Sequence, residues 1–418
     1  MKATIINYWI SGTLIMMLLL GGGIKSFAQS NESFFTVSGI VKDSQNKKKL
    51  SLVNVSIPGT NVGTVTNADG EFALKVKNSL NAKEVEVSHI GYLNNRFPIS
   101  GDESGKTVLL TPNSKMLNEV IIRPGYPRQL LEQAIDRIAL NYSIAPNLFT
   151  GFYRETAQKG KRYIQISEAV INIYKDSYTQ KIDKDRVRIF KGRKLLSPKK
   201  SDTLAVKLMG GPYLSILLDV VKNPEILLDK ETLSYYEYRL EDPVSIDNRQ
   251  QFVISFKPIV IMPYALYYGK YYLDRETLTF TRIEFNLDMQ DRNKAIDMML
   301  VKKPTGLRFR PSEFSFLVTY KQQNGISYLN YIRSEAKFKC DWKRRLFSSG
   351  FTLVSEMVTT ERENREIQMI PYRESFKKDQ SFSDKVTDFY DDNYWGAYNI
   401  IAPTESLEAA VKKLKKQQ

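Results

Sequence analysis

Cysteine and histidine are almost absent from this chain, which has one of each in 418 residues. A single cysteine excludes an internal disulfide and any multi-cysteine metal site. A single histidine excludes zinc sites that use two or three histidines, and with them the zinc chemistry of carboxypeptidases. We therefore predict no metal site, no catalytic residue and no cofactor.

The two scarce side chains are Cys340 and His89. Cys340 lies in an alternating run that predicts a strand, and its expected role is that of a small buried residue. His89 follows a predicted strand and is interpreted as a packing residue. No Gly-x-Ser-x-Gly elbow or Gly-rich phosphate loop accompanies them. Paired carboxylates remain open, because a glycosidase needs only two.

The N-terminus has the pattern of a secretory signal peptide over residues 1–28. Lys2 precedes an apolar run over residues 14–20, and small residues follow at Ser26 and Ala28. We predict cleavage after Ala28, which makes Gln29 the first mature residue. The apolar run is shorter than the ~20 residues that span a bilayer, and an uncleaved N-terminal anchor is the alternative. Export to the periplasm, or association with the outer membrane, is the expected outcome.

Residues 34–123 contain short β-rich runs separated by turn signals such as Asp69-Gly70. This pattern predicts an antiparallel sandwich of seven or so strands. The predicted strands lie at 35–41, 52–57, 63–66, 71–76, 85–88, around Phe97, 108–110 and 119–122.

Four motifs in this region occur in a recognisable order, at residues 37–43, 52–55, 64–72 and 88–92. Together they resemble the carboxypeptidase regulatory-like domain, a transthyretin-like sandwich that is common in envelope proteins of Gram-negative bacteria. The resemblance implies a fold and an envelope location. It also implies an accessory role, because the domain is not itself a peptidase.

Residues 124–146 form a predicted linker and amphipathic helix. The expected apolar face has helical spacing, and we predict that it packs on the following sheet. An interfacial membrane helix is the alternative, although such helices favour a basic polar face. The apolar face comprises Leu131, Ala134, Ile135, Ile138 and Tyr142.

Residues 147–375 read as a larger β-rich domain, and residues 376–418 as a tail with a short helix capped by Thr404. Alternation of apolar and polar residues in many runs predicts one buried and one wet face. The fold class is therefore mainly β, with a large antiparallel sheet that is curved or closed into a partial barrel, and a few helices. We read residues 191–200 as a basic surface loop.

The apolar segment 204–228 is predicted to form a helix pair broken at residues 210–212. It either fills ordinary core or covers a binding pocket as a lid. The side chains predicted to line such a pocket are Met209, Tyr213, Leu217, Tyr267 and Tyr271.

Two weaker resemblances concern the β-rich domain. Residues 273–277, followed by Arg-Ile-Glu at 282–284, resemble the sheet repeats of bacterial envelope lipoprotein carriers. The whole arrangement, including residues 151–155 and 394–403, resembles uncharacterised envelope proteins in which a carboxypeptidase regulatory-like domain precedes a β-rich region. Neither resemblance implies an activity.

The chain is basic, with a formal net charge of +15, and most of the excess lies beyond residue 125. Export argues against nucleic acid as a partner, so an envelope protein or a glycan or lipid ligand is expected, and peripheral membrane association is compatible with the charge. The oligomeric state is left open. The leading functional hypothesis is non-catalytic binding or scaffolding at the cell envelope. A carrier of lipid or another apolar envelope molecule and a glycan-active hydrolase with paired carboxylates are the alternatives.

Overall fold

The computed structural model describes residues 33–113, 126–208, 210–342, 348–363, 367–388 and 394–417. Several predictions lie outside these ranges: the signal peptide, its cleavage site at Ala28 and Gln29, the strand at 119–122, and Met209. Among the described helices, none combines the length and apolar character needed to cross a bilayer.

The N-terminal strands form a sandwich of two sheets, in the orders β4-β1-β7 and β3-β2-β5-β6. Its core consists of alternating residues such as Phe72, Leu74 and Val76 on β4, which are buried while their neighbours are half-buried. The strands are β1 (Phe34–Asp43), β2 (Asn54–Ser56), β3 (Gly63–Val65), β4 (Glu71–Lys77), β5 (Glu84–Ser88), β6 (Asn95–Pro98) and β7 (Glu103–Leu110). The predicted sandwich is confirmed for every strand within the described residues.

One pairing differs from the antiparallel expectation, because β7 runs parallel to β1. Gly39 on β1 permits the close approach. A Cβ atom at this position would lie 2.0 Å from the carbonyl oxygen of Lys106. Alternation along each strand predicts which side chains are buried, but it carries no information about the direction of the neighbouring strand.

Two helices precede the larger domain, α1 (Tyr126–Asp136) and α2 (Ile138–Asn141). The predicted apolar face packs against the core of the larger domain, and Leu131, Ala134 and Tyr142 are almost fully buried there. The expected packing on the following sheet is therefore confirmed.

The larger domain contains one open sheet, which has eleven strands within the described residues. Its order is β12-β13-β14-β15-β17-β18-β19-β8-β9-β10-β20, and all pairings are antiparallel except β10 with β20. The strands are β8 (Asn147–Lys159), β9 (Arg162–Lys175), β10 (Arg186–Leu196), β12 (Tyr236–Ile246), β13 (Arg249–Pro258), β14 (Tyr267–Asp274), β15 (Phe280–Leu287), β17 (Leu307–Gln323), β18 (Ile326–Trp342), β19 (Ser349–Glu363) and β20 (Thr387–Asp388). A separate short pair is β11 (Lys207–Leu208) with β16 (Leu300–Lys302).

The remaining helices of the described residues are short. They are α3 (Leu214–Leu217), α4 (Arg292–Met299) and α5 (Glu405–Lys415). Single 3-10 turns occur at Asn78–Leu80, Ile182–Lys184, Lys200–Asp202, Pro224–Ile226, Thr232–Tyr235 and Tyr372–Glu374. The mainly β fold class is thus confirmed, and Thr404 caps α5 as predicted by accepting a hydrogen bond from the Leu407 amide.

The two faces of the large sheet are covered differently. We call the face that packs on α1, α2 and residues 176–235 the inner face, and the opposite face the outer face. The inner face carries the largest core cluster, in which Tyr153, Ile171 and Phe285 from three strands are fully buried. The outer face carries the sandwich and part of the C-terminal segment.

Two local predictions are wrong. Residues 191–196 of the predicted basic loop 191–200 belong to strand β10, because Leu195 faces a core and Arg193 pairs with Glu168 and covers Trp395, while residues 197–200 lie beyond the strand. Within its described residues, segment 204–228 contains the one-turn helix α3 and the 3-10 turn Pro224–Ile226 where a helix pair was expected. Contacts with the sheet replace helical ones there, and the Val221 amide donates to the hydroxyl of Tyr320.

Candidate functional site

The most extensive functional candidate is the contact between the sandwich and the outer face of the large sheet, which we call the docking interface. Its apolar centre joins Val65 of β3 to Leu317, Tyr331 and Val358 of the sheet. Val65 is 2% exposed although it does not belong to the core of the sandwich itself. The sandwich therefore has a second apolar surface, and the sheet covers it.

Polar contacts surround this apolar centre. The Asn330 amide donates to the Asn54 side chain over 2.9 Å, and Lys321 donates to the Ser56 hydroxyl. Lys77 Nζ lies 3.1 Å from the Glu361 carboxylate. Two cavities of about 40 Å³ each remain between these groups. Such cavities hold a few waters at most, so the interface is a nearly closed junction and not a ligand pocket.

His89 lies at the edge of the docking interface, directly after β5. Its ring centroid is 5.4 Å from that of Tyr92, which agrees with the expected packing role. Burial and the nearby charge of Arg282 lower the pKa of His89 to about 4, although a hydrogen bond with the Leu52 backbone opposes the shift. The imidazole is therefore neutral over the ordinary pH range.

The C-terminal segment over residues 394–405 lies across the junction, and we call it the C-terminal strap. The Asn399 side chain accepts from the Lys75 amide over 2.7 Å and donates to the Lys75 carbonyl over 2.9 Å, as a neighbouring strand would. The Asn67 amide donates to the Pro403 carbonyl over 2.9 Å. The strap thus extends the hydrogen bonding of the sandwich.

The strap also contacts the large sheet. Trp395 is 3% exposed, lies edge-on to Phe152 and is covered by the guanidinium of Arg193. The buried Arg154 donates to the Ile401 carbonyl over 2.8 Å and pairs with Glu168. Sandwich, strap and sheet are therefore joined by both apolar and polar contacts.

A second candidate lies under the inner face, where four charged side chains are fully buried. Lys175 Nζ is 2.8 Å from the Asp219 carboxylate and 3.6 Å from that of Asp185, and Lys222 Nζ is 3.8 Å from Asp185. We call Lys175, Asp185, Asp219 and Lys222 the buried ionic cluster. Its formal charges cancel.

Tyrosines complete the surroundings of Asp219. Tyr178 donates to Asp219 Oδ2 over 2.9 Å, and Tyr320 donates to Oδ1 over 2.8 Å. Burial is the largest cause of the pKa shifts of two cluster residues: it raises the pKa of Asp185 and lowers that of Lys222. Because solvent reaches none of the four charged side chains, a substrate would not reach them either. The cluster is suited to holding residues 176–222 on the sheet.

The buried ionic cluster was not predicted from the sequence. The available signal was Asp219 and Lys222 inside the apolar run Leu-Ser-Ile-Leu-Leu-Asp-Val-Val-Lys. Charged residues in such a run indicate either a solvated helix face or a buried pair. Their partner Lys175 ends a strand 44 positions before Asp219, so no local pattern connects them.

The predicted pocket-lining residues that the structure describes all pack against the core under the inner face. Tyr271 is fully buried, stacks on Phe256 and donates to the Leu227 carbonyl. Tyr267, Tyr213 and Leu217 are half-buried and pack against the same core. Tyr267 and Tyr271 lie on β14, whereas Tyr213 and Leu217 belong to the segment that packs by β10, so the four side chains line no common pocket in the part of the chain that the structure describes, and their role in binding a ligand stays a prediction.

Other chemical candidates are weak. Within the described residues, no three His, Cys, Asp or Glu side chains are grouped to hold a metal ion. Burial raises the pKa of the Cys340 thiol to about 11, which opposes thiolate formation. Burial also raises the pKa of Glu155, whose carboxylate accepts from the Tyr153 hydroxyl and the Gly211 amide.

Comparison with known families decides the nature of the N-terminal region. Residues 37–122 match the family model of the CarboxypepD_reg-like domain. These residues form a CarboxypepD_reg-like domain. The match lies within the sandwich predicted over residues 34–123, whose exact limits, like the other domain boundaries, stay predictions. The docking interface therefore joins this domain to the large sheet.

Among curated proteins, the chain is similar to the TonB-dependent receptor SusC of Bacteroides thetaiotaomicron. The two are 32% identical over 111 residues, which is 26% of this chain and 10% of the receptor. The chain thus spans about a tenth of the length of that relative.

Two solved structures are similar at low scores. A DUF1329 family protein from Desulfovibrio piger gives a TM-score of 0.24 at 10% identity, covering 58% of this chain and 95% of its own. A LolA superfamily protein from Nitrosomonas europaea gives 0.20 at 10% identity, covering 57% and 94%. Scores this low support no inference about the large sheet.

Proposed function

We propose that this protein is a non-catalytic binding or scaffolding component of the bacterial cell envelope. The main support for this proposal is the docking interface. There, apolar contacts, hydrogen bonds and the C-terminal strap hold the CarboxypepD_reg-like domain on the outer face of the large sheet. A junction of this kind favours a rigid platform with two β units in one orientation.

The envelope location has two supports. One is the predicted signal peptide over residues 1–28. The other is the similarity of 111 residues of this chain to part of a TonB-dependent receptor. Both support an exported protein, in the periplasm or associated with the outer membrane.

The inner face favours scaffolding over carriage of a lipid. The described residues of segment 204–228, which would cover a carrier pocket, contribute nine buried apolar side chains to the core. They are Val206, Leu208, Leu214, Ile216, Leu218, Val220, Val221, Leu227 and Leu228. A space already filled by the chain's own side chains has to be vacated before an apolar ligand enters it.

Mass spectrometry of material extracted from protein purified from the envelope tests this proposal. We expect no stoichiometric lipid, and we expect chemical crosslinking in cells to join the protein repeatedly to the same envelope partner. Stoichiometric lipid would favour the carrier. Hydrolysis of envelope glycans that is lost in Glu155→Gln would favour the hydrolase. Either result would overturn the proposal.

A further inference from the structure

The loop between β13 and β14 presents aliphatic side chains to solvent. Residues 258–264 read Pro-Ile-Val-Ile-Met-Pro-Tyr. Ile261 is 93% exposed and Ile259 is 60% exposed, and Val260 and Tyr264 are also exposed. Single exposed apolar residues are ordinary, but several adjacent ones at a hairpin tip mark an interaction site.

The base of this loop is firmly held, so the tip is carried on an ordered support. The Ile259 amide donates to the Tyr235 carbonyl over 2.9 Å. Tyr267, just after the loop, lies edge-on to Phe285 and Phe316 in the inner core. Prolines at 258 and 263 restrict the backbone on both sides of the tip.

Side-chain chemistry changes in order from the tip towards the sheet. Aliphatic residues occupy the tip, and the exposed rings of Tyr264 and Tyr268 follow. The nearest lysines are Lys257, which lies level with Tyr268 next to the Phe256–Gly269 pair, and Lys270, which lies two positions further into the sheet. This is the order of a membrane interface, where aliphatic groups reach the acyl chains, tyrosines lie at headgroup depth and lysines remain in water.

The charge of the hairpin fits an anionic surface. No aspartate or glutamate occurs between Asp247 and Asp274, the last residue of β14, so the tip and the adjoining parts of both strands add no negative charge. Lys257 and Lys270 are paired with Glu237 and Glu241, so long-range attraction comes from the net charge of the chain, which is +15 for the whole sequence and +13 after the predicted cleavage removes Lys2 and Lys25. A basic protein is drawn towards anionic lipid headgroups.

The area of the tip argues against a protein partner as its main occupant. A stable protein–protein interface buries about 800 Å² on each side, which is more than one short loop presents. Insertion into a bilayer needs no complementary surface, because lipid chains adapt to a protruding group. We propose that residues 258–264 insert into the surface of an anionic phospholipid membrane and thereby hold the protein peripherally.

Sedimentation of the purified protein with vesicles tests the proposal. We expect binding to vesicles of phosphatidylethanolamine and phosphatidylglycerol at low salt, and weaker binding to phosphatidylcholine alone. Ile261→Ser should weaken binding about tenfold or more, because a solvent-exposed tip residue contributes only when it is buried in lipid. Leu140→Ser, at a site in α2 that is 72% exposed, is the matched control and should bind as the parent does.

A direct readout accompanies the sedimentation. In Ile261→Trp, the new indole should be quenched by lipids brominated on their acyl chains. The proposal is overturned if the parent protein does not bind, if Ile261→Ser binds equally well, or if both serine variants lose binding alike. It is also overturned if Ile261→Ser converts a dimer to a monomer in light scattering, which would make a second copy the occupant. None of these outcomes depends on the proposed scaffolding role, whose failure would appear as bound lipid or hydrolysis.

Discussion

Lys175 and Asp219 illustrate how single residues stabilise this fold at a distance in the chain. Their charged atoms are 2.8 Å apart and fully buried. Removing two charges from water costs several kcal/mol per ion, and close pairing with extra hydrogen bonds offsets much of that cost. The hydroxyls of Tyr178 and Tyr320 supply those extra bonds to Asp219. The cluster is stable only while all its partners are present.

Asp219→Asn should therefore be strongly destabilising. The substitution leaves Lys175 buried without its nearest counter-charge, and a loss of about 3–5 kcal/mol in the free energy of unfolding is expected. Urea denaturation followed by circular dichroism measures it. Asp136→Asn is the control, because its bridge to Lys230 is exposed and should contribute less than about 1 kcal/mol. Equal losses in both variants would contradict the stabilising role of the cluster.

His89 should make stability depend on pH between about 4 and 6.5. The pKa of His89 is about 4 in the folded protein, against 6.5 for the free side chain. The unfolded chain thus binds a proton in this range that the folded protein does not, and stability falls as the pH falls. At pH 5 the loss should approach about 2 kcal/mol.

His89→Gln removes this titration and should flatten the stability profile below pH 6.5. Urea denaturation of both proteins at pH 8, 6.5 and 5 measures the difference. The gap between the two free energies of unfolding should change by only about 0.4 kcal/mol between pH 8 and pH 6.5, and by about 1.6 kcal/mol between pH 6.5 and pH 5. Parallel profiles throughout would show that His89 is not buried in solution as the structure describes.

For single strands and helices, the alternation of apolar and polar residues predicted the structure reliably, whereas the content of basic or apolar residues did not. Residues 191–196 were misread as a loop because of their lysines and arginine, although they continue the strand that contains Val187 and Ile189. Segment 204–228 was predicted to be helical because apolar runs of this length are typical of helices, but most of it is irregular chain. Its backbone instead follows the inner core, where Val221 bonds to Tyr320 from a distant strand.

The C-terminal strap is the element whose removal should most weaken the junction. Trp395→Ala removes a buried ring that packs against Phe152 and Arg193, and a loss of about 3–5 kcal/mol is expected. Thermal denaturation together with limited proteolysis measures the effect, with faster cleavage expected near the strap. Tyr372→Ala, at a ring that is mostly exposed, should change stability little. Equal effects in both variants would count against the strap as a fastening element.

At the scale of the whole molecule, the docking interface should make the sandwich and the large sheet unfold together. Calorimetry of the parent protein should therefore show one transition. Val65→Asp places a charge in the apolar centre of the interface but outside the sandwich's own core, so two separate transitions are expected. Leu109→Asp, on a partly exposed sandwich position, is the control and should retain one transition. A single transition in Val65→Asp would mean that the interface does not couple the two units.

Much of the fold was predictable, and the site largely was not. The strands at 71–76 and 85–88 were predicted correctly because burial on one face imposes period-two alternation. Thr404 was recognisable as a cap because its hydroxyl acts within one helical turn. The docking interface uses Val65, Asn330 and Asn399, whose local sequences resemble those of any strand or loop.

Three properties were visible in the amino-acid sequence: the scarcity of cysteine and histidine, the alternation that makes the protein mainly β, and the ordered motifs of the CarboxypepD_reg-like domain. The first is a matter of composition, and the other two depend on residues that are close together in the chain. The pairing of Lys175 with Asp219, the hydrogen bonds between Asn399 and Lys75, and the exposure of Ile261 became visible in the folded protein alone. Strand register and packing bring together residues that are far apart in the chain, and no local pattern of residues encodes such contacts.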